Sequence, residues 1–346
     1  MKYKKLGNTG LLVSELCLGT MTFGGSGGIW SAIGATKQEA ANQIVKRSFE
    51  AGINFFDTAN VYSEGESEKI LGKAIKDLKL TREDIIIATK VKGKMGEGPN
   101  QIGLSKHHIH NSVKSSLKRL QVDYIDLYQI HGFDVLTPLE ETLEALNDLV
   151  KSGLVRYIGC SNLMAFQVMK SLSISKYHHY ARFESLQAYY TIAGRDLERE
   201  IVPLLKEEKM GLMVWSPLAG GLLSGKFRKD SKGPEGARRS KFNFPPVNMD
   251  RLYPILDVME EIAKSRDVSA ARIAIAWLLS KEFVTTVIIG AKNPEQLKDN
   301  IESVSLVLTP AELQKLDEIS KLPEEYPGWM VERSIQERMN LINKPK

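Results

Sequence analysis

The feature that most constrains this chain is an alternation of short, β-branched apolar runs with amphipathic segments of ten to fifteen residues, from about residue 15 to residue 300. Such alternation is typical of repeated βα units and predicts a parallel sheet. The predicted strands cover residues 15–18, 54–56, 85–89, 124–130, 155–159, 183–186, 211–214 and 286–289. Eight such strands fit an α/β fold of the closed (β/α)₈ (TIM) barrel type better than an open doubly wound sheet.

Amphipathic patterns between these runs predict the helices of the barrel, several ending in a basic turn and a glycine. They cover residues 37–51, 67–76, 105–120, 138–151, 163–172 and 196–206. Two further helices, 251–265 and 270–281, precede the eighth strand, and 309–320 is an extra C-terminal helix. One barrel uses all of these elements, so residues 1–346 are interpreted as a single domain.

Three segments lie outside the repeat. Residues 1–14 predict a hairpin that closes the N-terminal end of the barrel. Residues 226–250 follow the seventh strand, are rich in Gly, Pro and charge, and predict a long loop over a cofactor and substrate site. Residues 321–346 are expected to form an irregular tail containing Trp329.

Composition limits the partners. Of the 346 residues 42% are hydrophobic and 26% charged, as in a folded protein. The net charge of +5 is spread along the chain, which argues against nucleic acid but allows a small anionic ligand. Without a long apolar run or a signal-like N-terminus, a cytoplasmic protein with no membrane partner is predicted. Cys17 and Cys160 lie in apolar runs and are expected to be buried thiols, and the oligomeric state is left open.

Polar residues stand at the ends of six successive predicted strands, where the reactive groups of a (β/α)₈ barrel converge. Each of them alone also suits a helix N-cap or a solvated strand end, but six together favour one common site. In chain order they are Asp57, Lys90, His131, Ser161 with Asn162, Gln187, and Trp215 with Ser216.

Tyr62 follows Asp57 by five residues and suggests a proton-transfer group. A free phenol has a pKa of about 10 and is too weak an acid near neutrality, but a nearby ammonium lowers that pKa. Lys90 supplies the ammonium in this hypothesis, and Asp57 keeps the buried lysine charged. His131 is placed to donate a hydrogen bond to a substrate oxygen. Taken alone, Tyr62 fits an exposed loop tyrosine equally well.

The segment from Lys292 to Asn300 predicts an anion site. Asn293 suits an N-cap and Pro294 the first helical position, so the free N–H groups and Lys292 would accommodate a phosphate group. If the ligand is the nicotinamide dinucleotide implied by the resemblance described below, this is a site for a 2′-phosphate and favours NADPH over NADH. Gln296 and Asn300, four residues apart on one face, would reach the adenosine. An ordinary capped helix with Lys292 in solvent fits the spacing equally well.

Other ligand motifs fail. The run from Gly220 to Lys226 matches a phosphate-binding loop until Phe227 replaces the Ser or Thr that must bind magnesium. Glycines 24–28 do not have G-x-G-x-x-G spacing. No metal site is predicted, because the histidines lack ligand spacing and strand-end positions; they are His107, His108, His110, His178 and His179.

Residues 52–62 resemble the G-x-x-x-x-D-T-A-x-x-Y signature of the aldo-keto reductases, and 124–131 resemble the histidine strand of that family. Residues 159–162, Gln187, 215–218 and 290–296 resemble its cofactor segments, so the likeness covers nearly the whole chain. The run 216–226 is most similar to the branch that includes general stress reductases and potassium-channel β subunits.

This resemblance implies NADPH-dependent reduction of a small aldehyde or ketone. Tyr62 would be the proton donor, Asp57 and Lys90 would tune it, and His131 would orient the carbonyl. Trp215 would lie against the nicotinamide, where many members carry Tyr. Ser161, Asn162 and Gln187 would hold the carboxamide. The other implied cofactor contacts are Gly19, Thr20, Met21, Asp57, Ser216, Pro217, Leu218, Ala219, Gly220, Lys226, Arg238, Gly290, Lys292, Gln296 and Asn300.

Two expectations remain. Phe23, Trp30 and the tail around Trp329 are expected to line the substrate pocket. The alternative function is a nucleotide-bound redox sensor or channel-associated subunit with little turnover, as that branch includes such proteins. His131 weighs against the alternative, because the channel-type relatives depart from the family at that position.

Overall fold

Eight parallel strands close into a barrel in the computed structural model of the chain, which describes residues 1–25, 30–34, 36–229, 233, 239 and 243–342. Strand β10 pairs with β3 to complete the ring, so the (β/α)₈ barrel is confirmed. In barrel order after β10 (Val284–Ile289) the strands are β3 (Leu16–Gly19), β4 (Phe55–Asp57), β5 (Ile86–Val91), β6 (Ile125–Ile130), β7 (Val155–Ser161), β8 (Phe183–Tyr189) and β9 (Gly211–Trp215).

Most of the helices cover the outer face of this barrel. The helices are α1 (Trp30–Ile33), α2 (Gln38–Glu50), α3 (Glu66–Asp77), α4 (Lys106–Leu120), α5 (Leu139–Lys151), α6 (Ala165–His178), α7 (Ile201–Glu207), α8 (Met249–Arg266), α9 (Ala270–Leu279), α10 (Pro294–Glu302), α11 (Pro310–Ile319) and α12 (Gly328–Ile342). Helix α1 lies at a cavity, and the side chains of α12 are exposed. Apolar helix faces pack on the outward side chains of the strands, while a second cluster fills the interior. Because both faces are covered, most strands are continuous apolar runs.

A hairpin closes the N-terminal end of the barrel, as predicted. Its strands are β1 (Tyr3–Lys5) and β2 (Leu12–Ser14), which pair antiparallel. Leu6 and Val13 are fully buried and join the interior cluster. Gly7 has a positive φ of 59° and packs directly on the Glu184 carbonyl at the start of β8, where a side chain has no room.

Two predicted segments differ from the structure. The predicted helix 196–206 is a 3₁₀ turn, Asp196–Glu198, followed by α7. The tail is not irregular over its described part, because it contains α12. Val331, Ile335, Met339 and Ile342 recur there at the three- and four-residue spacing of a helix, a signal that the sequence contains.

Two further predictions concern burial and membranes. Cys17 and Cys160 are free thiols that are completely buried, as predicted. In the part of the chain that the structure describes, every helix is too short or too polar to cross a bilayer.

Because Leu6 fills the barrel interior from the hairpin, we expect Leu6→Ala to lower the free energy of unfolding by about 2–5 kcal/mol. Leu12→Ala is the matched control, since Leu12 belongs to the same hairpin and is 55% exposed, and it should change that free energy by no more than about 0.5 kcal/mol. Denaturant unfolding followed by circular dichroism measures both. Equal losses in the two variants would contradict the role of the hairpin as a plug.

Candidate active site

A cavity of about 840 Å³ opens at the carboxyl ends of the barrel strands. Its volume lies within the range of small-molecule and cofactor sites. Most of the polar residues predicted at strand ends line it, so the structure brings them together. Those lining the cavity are Asp57, His131, Ser161, Asn162, Gln187, Trp215 and Ser216, joined by Tyr62 from the loop after β4.

Lys90 and Asp57 form a buried ion pair just beneath this cavity. Lys90 Nζ donates to Asp57 Oδ2 at 2.5 Å and to the Thr58 carbonyl at 2.8 Å. Lys90 is completely buried and Asp57 almost so. Burial opposes the ammonium, but the attraction of Asp57 and Tyr62 outweighs it, and the pKa of Lys90 is raised above its ordinary value. The predicted partnership is therefore present as a charged pair.

Tyr62 lies at the start of a 3₁₀ turn, Tyr62–Gly65, on the rim of the cavity. Its phenol oxygen is 3.5 Å from Lys90 Nζ. Ser63 and Glu64 follow with positive φ angles of 48° and 58°, and the Ser63 hydroxyl donates to the Phe23 carbonyl. Such backbone conformations are costly for residues other than glycine and cluster at functional sites. The turn thus holds the phenol against the ammonium.

His131 lies on the other side of the phenol. Its ring centroid is 5.7 Å from that of Tyr62, with the planes at 73°. The pKa of His131 is lowered to about 3. Burial is the main cause, and the charges of Lys90 and Lys92 add to it. The imidazole is therefore neutral at physiological pH and presents one N–H donor and one acceptor nitrogen.

Gln129 is a site residue that sequence reasoning missed. Its amide Nε2 donates to Asp57 Oδ1 at 3.1 Å, and Gln187 Nε2 donates to the same oxygen at 2.9 Å. Gln129 is completely buried at the level of the ion pair. An amide in a strand that is buried along its whole length was a usable signal, because a buried amide requires a polar partner.

The ends of β7 and β9 are joined by side chains. Asn162 and Ser216 follow these strands with positive φ angles of 57° and 53°. The Trp215 indole donates to Asn162 Oδ1 at 3.1 Å, and Asn162 Nδ2 donates to the His131 carbonyl at 3.1 Å. These hydrogen bonds position the Trp215 indole beside the segment that carries His131.

Part of the loop after β9 covers the cavity. Phe244 stacks on Trp215 with ring centroids 5.7 Å apart and planes at 7°. Arg239, which also lines the cavity, donates to the carbonyls of Ala219 and Pro245. Neither Phe244 nor Arg239 was predicted, because the loop has no periodicity that would place them. Arg238, which was predicted, lies outside the described residues.

Another part of the cavity wall is formed by the segment for which an anion site was predicted. Asn293 caps α10 by accepting from Gln296 N at 2.9 Å, and Pro294 occupies the first turn, as predicted. Gln296 Oε1 in turn accepts from the Lys292 N–H at 3.0 Å. Asn300 donates to the Gly290 carbonyl at 3.2 Å. Lys292, Gln296 and Asn300 line the cavity together with the acidic Asp299, while Asn293 caps the helix outside the cavity lining.

The remaining predicted contacts divide into two groups. Gly19, Met21, Pro217, Leu218, Gly220, Lys226 and Gly290 line the cavity. Thr20 and Ala219 are buried behind it, with Thr20 hydrogen-bonded to the Asp57 carbonyl and to Ser67.

Of the three residues expected to line a substrate pocket, only Trp30 does so, with its ring 5.7 Å from that of Tyr62. The prediction for Phe23 is wrong, because its side chain is fully buried in the outer core. The prediction for Trp329 is also wrong, since this residue lies on α12, whose described side chains are all exposed to solvent.

Residues 15–321 match the family model described as the aldo/keto reductase family, and this chain belongs to that family. The match spans the whole barrel and the cavity just described. The family consists of oxidoreductases that generally use nicotinamide cofactors, and the chain is an oxidoreductase in that sense.

Curated relatives match along nearly their full lengths. The uncharacterized oxidoreductase YrpG of Bacillus subtilis is 36% identical over 339 residues, covering 94% of this chain and 99% of the relative. The versiconal hemiacetal acetate reductase of Aspergillus parasiticus is 34% identical, with coverages of 95% and 99%. A probable voltage-gated potassium channel subunit beta of Arabidopsis thaliana is 35% identical, with coverages of 94% and 100%.

Because the pKa of His131 is lowered to about 3, its imidazole should stay neutral from pH 5 to pH 8. We expect its ¹⁵N chemical shifts in histidine-labelled protein to be constant over that range, whereas those of free histidine in the same buffers change near pH 6.5. His131→Gln identifies the resonance. A His131 signal that titrates above pH 5 would contradict the electrostatic description of the site.

Proposed function

We propose that this chain reduces an aldehyde or ketone to the alcohol with NADPH, using Tyr62 as the proton donor. The observation that carries the proposal is the charged Lys90–Asp57 pair beside the Tyr62 phenol and the neutral His131, all at one end of a large cavity. The hydroxyl, the ammonium and the imidazole meet at the cavity edge although the chain separates them widely. A small carbonyl compound is the implied substrate.

The polar groups of the cavity suit a nicotinamide dinucleotide. Ser161, Asn162 and Gln187 offer hydroxyl and amide groups at one end, where a carboxamide would bind. Trp215 lines the cavity, with Phe244 stacked on its indole, and is the candidate to contact the nicotinamide ring. When bound, the dinucleotide supplies the hydride from its nicotinamide ring.

The phosphate groups of the cofactor require positive charge. Lys226 and Arg239 line the middle of the cavity and are the candidates for the pyrophosphate. The backbone N–H groups of Gly220 and Gly221 donate within their own loop. The Lys226 and Arg239 side chains, and not these N–H groups, therefore bind the pyrophosphate in this proposal. Lys292 and the N-terminus of α10 are the candidates for the 2′-phosphate, which is the basis for proposing NADPH.

The chain's own residues perform the proton transfer in this proposal. Tyr62 hydrogen-bonds to the substrate oxygen and donates its proton as negative charge develops there. The Lys90 ammonium stabilises the negative charge left on the phenol oxygen. His131, kept neutral by burial, donates a second hydrogen bond that orients the carbonyl. Asp57 keeps Lys90 charged throughout.

Removing the Tyr62 hydroxyl tests the proton donor. We expect Tyr62→Phe to lower kcat for aldehyde-dependent NADPH oxidation by about 10²–10⁴-fold while cofactor affinity is retained, because general acids typically contribute that factor. Tyr124→Phe is the control, since Tyr124 packs between Arg82 and Arg156 away from the cavity. Equal, negligible rates in both proteins and in the wild type, with NADPH still bound, would favour the sensor or channel-associated alternative.

Neutralising Lys292 tests the choice of cofactor. Lys292→Met should weaken NADPH binding about tenfold, because the hydrogen bond to a charged phosphate is lost, and leave NADH binding unchanged. Lys298→Met, on the exposed surface of α10, should affect neither nucleotide. Isothermal titration calorimetry of the wild type and the two variants with each nucleotide measures the six affinities. A wild-type preference for NADH would contradict the proposed 2′-phosphate site.

A further inference from the structure

The two oxygens of Asp57 have different partners. Oδ2 accepts from Lys90, whereas Oδ1 accepts from Gln129 at 3.1 Å and from Gln187 at 2.9 Å. Gln187 Nε2 also lies 3.4 Å from Gln129 Oε1, which places both N–H bonds of Gln187 within this buried group. Asp57, Gln129 and Gln187, here termed the amide triad, therefore form a closed set of hydrogen bonds beneath the cavity.

Asp57 orients the Gln129 amide, and Asp57 and Gln129 together orient the Gln187 amide. A carboxylate only accepts hydrogen bonds, so the nitrogen of each glutamine must face it. If Gln187 were flipped, its carbonyl oxygen would face both Asp57 Oδ1 and Gln129 Oε1 at a buried position, which is strongly unfavourable, and without Gln129 one of these two restraints is lost. With both N–H bonds of Gln187 used in the triad, its Oε1 accepts no hydrogen bond from the described residues. This oxygen belongs to a side chain that lines the cavity.

We propose that Gln129 is a positioning residue that fixes Gln187 as a hydrogen-bond acceptor for the carboxamide N–H₂ of the nicotinamide. This inference rests on the proposed function, because it assumes that the cofactor binds in this cavity. Gln129 acts through its neighbour: its side chain is completely buried and is absent from the cavity wall. Through the triad, the carboxylate that holds Lys90 also orients the group that receives the cofactor.

The barrel provides a specific space for Gln129. Gly159, its pairing partner on β7, has no side chain, and a Cβ there would lie 3.3 Å from Gln129 Cγ and 2.7 Å from Ser185 Oγ. A side chain at position 159 would therefore crowd the amide. On β5, Lys90 is the pairing partner of Gln129. The residue is thus enclosed by the ion pair on one side and by a glycine on the other.

The test compares two cofactors that differ at the group in question. NADP⁺ carries a carboxamide, whereas its 3-acetylpyridine analogue has a methyl group in place of the amide nitrogen and offers no N–H donor. We expect the wild-type protein to bind NADP⁺ about 3- to 10-fold more tightly than the analogue, the factor for one hydrogen bond, in isothermal titration calorimetry. In Gln129→Leu, which keeps the volume but removes the amide, this ratio should fall to about 1–2.

Two further variants separate orientation from packing. Gln129→Asn keeps an amide that is one methylene shorter and cannot span both partners, so the ratio should fall there too; this variant carries the test if Gln129→Leu does not fold. Leu127→Val changes a buried interior side chain on the same strand outside the triad and should keep the wild-type ratio.

The possible results distinguish this inference from the proposed function. A wild-type protein that binds neither nucleotide would reject the proposed function itself. Binding of both nucleotides with no discrimination in the wild type, or with wild-type discrimination kept in Gln129→Leu, would overturn the role of Gln129 alone. Loss of discrimination in Leu127→Val as well would also overturn it, because the effect would then reflect packing and not the amide.

Discussion

The buried ion pair between Lys90 and Asp57 is the interaction on which the rest of the site depends. Removing an ammonium and a carboxylate from water costs several kcal/mol each, and their attraction offsets this cost only when the remaining hydrogen-bonding capacity is satisfied. The Thr58 carbonyl meets that requirement on the lysine side, and the amides of Gln129 and Gln187 meet it on the carboxylate side. Tyr62 and His131 then stand beside a charge that is fixed in place.

The closed barrel makes this arrangement possible. Asp57, Lys90, Gln129 and Gln187 lie on β4, β5, β6 and β8, so four strands contribute to one polar cluster at the same end. The N-terminal hairpin closes the other end with apolar side chains such as Leu6. An apolar interior beneath the polar cluster raises the cost of an unpaired charge. Each side chain of the cluster therefore has to meet the hydrogen-bonding needs of the ion pair as well as fit the space.

Much of the fold and of the candidate site was predictable because both depend on local patterns. Strand ends follow from β-branched runs, and barrel geometry brings Asp57, Lys90 and His131 together once the strands are assigned. Gln129 and Phe244 were missed for different reasons. The role of Gln129 depends on a cross-barrel contact that no spacing along the chain encodes, and Phe244 lies in a loop without periodicity. Trp329 lies away from the cavity, because residues 328–342 form α12 where an irregular tail was expected.

The charge state of Lys90 is the most direct test of this account. The ¹³Cε and ¹⁵Nζ shifts of Lys90, in lysine-labelled protein with Lys90→Met as the assignment control, report whether the amine is protonated. The account predicts an ammonium at every pH from 7 to 10, because the pKa of Lys90 is raised, and a pKa lowered by unopposed burial in Asp57→Asn. A neutral amine at pH 7 in the wild type, or an unchanged titration in Asp57→Asn, would contradict it.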